Sequence, residues 1–332
     1  MKKLFSICLF SACLSLVATG LQAQKISPSA EKEFLAKEDS LKELSRKMVF
    51  SENAVDRFRS DSIFTRTFVR ALQKTNSFYF PFDSVNIAKL YAPDSSFRIF
   101  TWQLKRDEYI VLQKGAIQMN MPDGSLKLFR LQDNSMFTKK PLDSTRSNLN
   151  WIGAIYYKII MKQHNNKKYY TLIGFDDFSV SSNKKWIDVL HFDEAGQPVF
   201  GGPFFSYKND TGKNKRPIQA RFAIEFKKEA KAYLNYDPEL DLIIVDHLAS
   251  ESDEPEKKFT YVPDGDYEGF KWENGQWLHI DKLFNQALKD GEFPKEALLY
   301  DDAGKADEKK LEEASKKNME KKPAPKKKSG GN

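Results

Sequence analysis

The chain has 332 residues, 40% hydrophobic and 13% aromatic, with 26 phenylalanines, enough to bury a sizeable core. Its formal charge of +7 is confined to the two ends: residues 24–304 balance 41 basic against 41 acidic side chains, so the body has no bulk attraction for nucleic acid. The only two cysteines are Cys8 and Cys13, which excludes a disulfide framework or thiolate metal site beyond residue 23.

Residues 1–23 read as a secretory signal peptide. Lys2 and Lys3 form a basic start, Leu4 to Ala18 is mostly apolar, and Leu21-Gln22-Ala23 ends on a small residue suited to cleavage. The expected mature chain starts at Gln24, exported to the periplasm or associated with the outer membrane. Ser6, Ser11, Ser15, Thr19 and Gly20 dilute the segment as an uncleaved anchor. A lipid on Cys13 would need a tether more polar than Leu14-Ser15-Leu16-Val17.

Residues 24–76 form a helical segment. Ser27 caps a helix over 28–48, Pro28 suits its first position, and Phe34, Leu41, Leu44 and Met48 recur at helical spacing. Val55, Phe58, Phe68 and Leu72 repeat the pattern less cleanly over 53–72. From residue 77 to about 304 the period shifts toward two, with turn signals every 8–15 residues, which predicts antiparallel β structure. Three hairpins are legible. An Asp123-Gly124 loop would place Met121 opposite Leu126 and Met119 opposite Leu128. A turn near Asn165-Asn166 joins 155–161 to 169–175. An Asn274-Gly275 type I′ turn places Trp272 opposite Trp277. Further strands are expected at 97–103, 109–113, 186–192, 197–205, 218–226, 231–236 and 241–248, and a short helix at 280–290. Residues 305–332, with ten lysines, five acids and almost no apolar residue, read as a disordered tail. The fold class is therefore α+β, predominantly antiparallel β: a helical start, a body built as a bent sheet, sandwich or open barrel, and the tail.

No G-x-S-x-G, H-E-x-x-H or glycine-rich phosphate loop is present, and Thr211-Gly212-Lys213 lies in a polar loop without the upstream glycines. His191 with Asp193, and His279 with Asp281, stand two apart on expected strands, while Asp246 adjoins His247. A shared metal would need several of these strands to converge, and hydrogen-bonded His–Asp pairs at strand ends are the plainer reading. Asp264-Gly265-Asp266-Tyr267-Glu268-Gly269 begins like a calcium loop but carries Gly275 at its twelfth position, so it reads as a turn. Asp176-Asp177 offers one carboxylate of a glycosidase pair with no marked second. Trp102, Trp151, Trp186, Trp272 and Trp277 are candidates for stacking on sugar, against the commoner role of core packing. No catalytic residue, cofactor-binding residue or metal ligand is assigned. Lys321, Lys322, Lys326, Lys327 and Lys328 are assigned an anionic-surface contact: an envelope protein, wall polymer or anionic lipid.

Several stretches together carry a resemblance: Phe97 to Trp102, Gly115 to Gln118, Tyr170 to Asp176, Ile187 to Leu190 running to Gly196 through Gly201, Arg221 to Tyr236, and Asp246-His247-Leu248. Over about 85–280 the chain resembles a family of secreted, uncharacterised proteins of Gram-negative bacteria. Where members carry Trp-Asp-Gly this chain has Phe175-Asp176-Asp177, so no site residue transfers. The resemblance implies an envelope location and no activity. The leading expectation is a non-catalytic interaction or structural protein of the envelope. A glycan- or peptide-binding module using exposed aromatics is the alternative, and an envelope hydrolase comes third.

Overall fold

The computed structural model describes residues 26–210 and 216–283, with Lys316 alone beyond them. The end of the expected 280–290 helix and the five tail lysines lie outside the described residues.

Two helices lead the chain, α1 (Pro28–Phe50) and α2 (Ala54–Leu72). The Ser27 hydroxyl accepts the Ala30 N–H at 3.3 Å, and Asn53 accepts the Val55 N–H at 2.8 Å, so each start is capped by the expected kind of residue. On α1 the buried face carries Phe34, Leu41 and Met48. On α2 it carries Phe64, Phe68, Ala71 and Leu72, whereas Val55 is exposed. At about 100° per residue Val55 stands half a turn away from Phe64, which corrects the expected stripe.

A four-stranded antiparallel sheet follows, ordered β1 (Ala88–Tyr91), β2 (Phe97–Lys105), β3 (Val111–Asn120), β4 (Leu126–Gln132). The β3–β4 register differs by one residue from expectation: Asn120 faces Leu126 and Met119 faces Lys127. The turn is longer than two residues. Gly124 N–H bonds to the Met121 carbonyl at 3.0 Å and the Gly124 carbonyl receives the Asn76 N–H at 2.9 Å. Pro122, lacking an N–H, suits that turn rather than the ladder.

The second sheet holds β5 (Arg146–Ser147), β6 (Ile155–His164), β7 (Lys167–Asp176), β8 (Ser182–Phe192) and β9 (Pro198–Phe200), in the order β5-β9-β8-β7-β6. β11 (Phe222–Lys227) pairs with the other end of β8. The third is ordered β10 (Phe205–Ser206), β15 (Gln276–Ile280), β14 (Tyr261–Glu273), β13 (Leu242–Ser250), β12 (Leu234–Asp237). Its β10–β15 contact is parallel, whereas the other pairs among β1 to β15 are antiparallel. Asp264 to Gly269 is no turn: it lies within β14 opposite a register shift between Asp246 and Leu248, with Gly265 at φ 95°. A bulge absorbs the Asp-Gly pair inside the strand.

Three cores stack these layers. Phe34, Phe64 and Phe68 of the helices meet Phe100 and Trp102 of the first sheet. Phe97, Ile99 and Ile117 on its other face meet Leu172, Trp186 and Leu190 of the second. Ile173, Ile187 and Phe222 on the far face of the second meet Ile243, Phe270 and Trp277 of the third. The alternation of apolar side chains on both faces of β2 and β8 is what a sheet covered on both sides requires.

Buried polar side chains tie the layers. Arg98 donates to Gln118 Oε1 (2.8 Å), the Phe80 carbonyl (2.7 Å), the Tyr91 hydroxyl (2.7 Å) and the Ser77 carbonyl (2.7 Å), with its guanidinium 4.7 Å from the Phe100 ring centre. Burial lowers its pKa to about 10, partly offset by Tyr91, so it stays charged at neutral pH. Arg221 pairs with Asp188 at 3.1 Å and donates to the Pro141 and Ser144 carbonyls, fixing the 141–144 segment against β8.

Candidate ligand-binding cleft

The β6–β7 and β14–β15 hairpins end in two-residue loops whose residues all have positive φ: Asn165 and Asn166 in one, Asn274 and Gly275 in the other. That backbone suits the twist of paired strands, and asparagine and glycine tolerate it. The two tips stand side by side, because a Cβ on Gly275 would come within 2.6 Å of the His164 ring.

Beside them the second sheet splits. β7 and β8 pair from Asp176–Lys184 to Tyr170–Leu190, and the ladder stops there. β8 continues by pairing with β9 through Leu190–Phe200, His191–Val199 and Phe192–Pro198, while Lys167 to Tyr169 continue with β6. The chain then turns through Gly201-Gly202-Pro203. Gly202 has φ 147°, and a Cβ there would meet the Phe204 ring at 2.6 Å, so glycine is what lets that ring fold back.

The result is an open cleft of about 990 Å³. Tyr169, His191 and Phe204 give it an aromatic wall. Tyr169 and Phe204 lie 5.2 Å apart at 65°, His191 lies 5.8 Å from Phe204 and 6.0 Å from Tyr169, and Trp272 extends the row 5.9 Å beyond Tyr169. Polar groups ring the opening: Asn166, Lys167, Lys168, Asn274 and Gln276 on the hairpin side, Asp193 and Glu194 on the β8–β9 turn. Lys168 is committed to Asp94 at 2.7 Å. Asp193 accepts the Gln197 N–H at 2.8 Å and closes its own turn. The Lys167 side chain makes no ion pair or hydrogen bond among the described residues.

His191 stands out. It is half-buried, and its Nδ1 is shielded from water without a hydrogen-bond partner. Burial, then the charge of Lys167, lowers its pKa against the weaker pull of Asp188 and Asp193, so the ring is neutral at pH 7. His191 lines the cleft, so a turn of its ring would bring the unpartnered nitrogen to a ligand that can supply the missing bond.

The other sequence candidates fall elsewhere. His279 is bound to Asp210 (2.7 Å) and Glu268 (3.0 Å), rather than to Asp281. His247 is bound to Asp264 (2.7 Å), while Asp246 accepts the Tyr233 N–H. Among the described residues no group of three or more His, Cys, Asp or Glu is placed to hold a metal ion. Asp176 is buried and accepts from Gln113 at 2.8 Å; burial lifts its pKa to about 6, opposed by that hydrogen bond and assisted by the charge of Asp133. Asp177 pairs with Lys228 instead. Trp102, Trp151, Trp186 and Trp277 are buried in the layer cores, which removes them as sugar platforms; Trp272 alone of the five is half-buried and reaches the aromatic row. Tyr169 and Phe204, which build the wall, carry no motif. The one local signal was the Gly-Gly-Pro-Phe run at 201–204, an unusual break inside an apolar stretch.

Compared with family models, curated proteins and solved structures, the chain matches none.

Proposed function

We propose that the protein is a non-catalytic binding module of the bacterial cell envelope, exported by residues 1–23, and that the cleft between the two hairpin tips and the β8–β9 turn takes the ring of a glycan. The observation that carries this reading is the aromatic wall of Tyr169, His191 and Phe204, which lines an open cleft of about 990 Å³ and keeps one unpartnered nitrogen, His191 Nδ1, shielded in the wall itself. A sugar ring offers an apolar C–H face for the aromatics and hydroxyls for the imidazole nitrogen and for Asn274 and Gln276 at the rim. Binding is favoured over hydrolysis by the placement of the acids. Asp193 and Glu194 are neighbours on one turn, so they do not face each other across the opening as a glycosidase pair must. The tail lysines Lys321, Lys322, Lys326, Lys327 and Lys328 add a proposed contact with anionic envelope material.

The test is a titration of the protein with soluble wall-glycan fragments and neutral oligosaccharides, followed by NMR shifts of the residues around the cleft. Saturable shifts at Tyr169, His191 and Gln276 are expected, with affinity lowered about tenfold by Tyr169→Ala, a loss of roughly 1.4 kcal/mol. No saturable response to any glycan, or shifts that map away from the cleft, would refute the assignment.

A further inference from the structure

The segment between β4 and β6 contains three short 3₁₀ turns, of which the first and last, Ser135–Phe137 and Asn148–Asn150, concern this face. They carry three large apolar side chains that point to water: Phe137 is 82% exposed, Met136 61% and Leu149 59%. The exposure is built in rather than incidental, because the turns are held in place from below. Asn134 N–H bonds to the Trp151 carbonyl at 2.8 Å, and Asn134 Nδ2 bonds to Asn150 Oδ1 at 2.7 Å, joining one turn to the other. The Phe137 N–H returns to the Asn134 carbonyl at 3.2 Å, and Thr138 Oγ1 donates to the same carbonyl at 2.8 Å. Trp151 itself is fully buried, so this base is anchored in the core between the first and second sheets.

The charges around the apolar tip are mostly positive. Lys139 and Lys140 follow Phe137 after Thr138, and Arg130 lies on β4; all three are exposed and form no side-chain ion pair or hydrogen bond among the described residues. Asp143 is the exposed acid of the same segment, and Asp133 is occupied by the N–H groups of Ser135 and Gly153. An aromatic and a methionine at the tip of a rigid turn, with unpaired lysines beside them, match the two requirements of an interfacial contact: apolar groups to enter the headgroup region and cations to meet acidic lipids.

We infer that this face docks on a bilayer of anionic phospholipid, with Met136 and Phe137 inserted and Lys139 and Lys140 at the headgroups. The inference does not depend on the cleft, and it is separate from any contact of the tail lysines.

The experiment is co-sedimentation of the full chain with vesicles of phosphatidylglycerol and phosphatidylcholine, against vesicles of phosphatidylcholine alone. Binding to the anionic vesicles is expected to fall several-fold in Phe137→Ala and, at about fivefold per lysine, roughly 25-fold in Lys139→Gln/Lys140→Gln. Phe137 is too exposed for its removal to affect folding, and an unchanged melting temperature checks this. As a direct readout, Phe137→Trp adds emission that should shift to the blue and be quenched by brominated lipid. Absence of binding by the natural chain would overturn the inference and leave the patch to a protein partner. So would binding unchanged by both sets of substitutions, or lost only in a variant with Lys326, Lys327 and Lys328 replaced by glutamine.

Discussion

His279 and His191 both border the core between the second and third sheets, and their surroundings are opposite. His279 is fully buried beside Tyr207 and Phe270, and each ring nitrogen meets a carboxylate, Asp210 at one and Glu268 at the other. Asp210 also receives Arg216 at 2.8 Å, whose guanidinium lies 4.0 Å over Tyr207. At the mouth, His191 has aromatic neighbours of the same kind but, among the described residues, no hydrogen bond at Nδ1, and Asp188 and Asp193 act on it through charge alone. Sequence treats the two alike, each with an aspartate two residues on. The difference teaches that completeness of polar pairing, rather than residue type or the nearest acid, separates a histidine that holds the fold from one that is open to a ligand.

The largest effect is expected at the tryptophan pair that links these two regions. Trp277 is fully buried and donates to Thr171 Oγ1 at 2.9 Å; Trp272, its cross-strand partner at 5.3 Å and 69°, reaches toward the mouth. Trp277→Ala should cost about 3–5 kcal/mol in denaturant unfolding, by loss of burial and the cavity left behind. Trp272→Ala should cost about 1 kcal/mol, chiefly the aromatic pairing. Either substitution should remove the near-ultraviolet circular dichroism couplet of the pair. Equal losses of stability would erase the contrast between body and mouth.

Next comes the buried histidine network. His279→Ala leaves Asp210 and Glu268 without their shared partner, at a cost of about 2–3 kcal/mol, below the fully buried range because both carboxylates keep some solvent. The pH dependence has a definite sign. Burial alone would lower the His279 pKa, but the hydrogen bonds to Glu268 and Asp210 outweigh it and raise the pKa above 6.5. Its contribution is thus complete below about pH 6.5 and is lost as pH rises through the higher folded value. For Asp210, burial opposes the shift, and the bonds from His279 and Arg216 still hold the pKa below 3.8. That contribution is present above about pH 3.8 and is lost as pH falls through the folded value. The network therefore stabilises most between these limits. In His279→Ala the alkaline loss should disappear from a plot of unfolding free energy against pH. If it persists undiminished, the imidazolium is not its source.

What could be read from sequence was local. The helix cap at Ser27, and hairpins closed by Asn-Asn and Asn-Gly, depend on residues within one turn of each other, so their signals survive without tertiary context. The Met121–Leu126 register failed because Asp-Gly can close either a two-residue loop or a longer one, and the hydrogen bond from Asn76, far away in sequence, helps settle the matter. The stacking of three sheets was beyond reach for the same reason: alternation says which residues share a face, but not which face meets which. The site was less legible still. His279 meets Asp210 across 69 positions in sequence. The cleft exists because β7 and β8 part after Tyr170–Leu190, and both strands there read as ordinary continuous alternation.

The smallest effect on stability, and the sharpest test of the contrast, belongs to His191. Because the ring makes no hydrogen bond among the described residues, His191→Phe removes none of them, keeps the aromatic contacts with Tyr169 and Phe204, and relieves an unpartnered buried nitrogen. Replacing a buried polar group by an apolar one of similar shape is close to neutral, so stability should stay within about 0.5 kcal/mol or rise. Ligand binding should respond the other way. Phenylalanine preserves the stacking surface but can neither donate nor accept, so glycan affinity should fall by about five- to tenfold, the worth of one neutral hydrogen bond. Equilibrium unfolding and the glycan titration, run on the same variant, separate the two roles. A stability loss like that of His279→Ala would mean that the ring is structural after all. Unchanged affinity with unchanged stability would mean that the aromatic wall binds through its faces alone and that Nδ1 has no part in recognition.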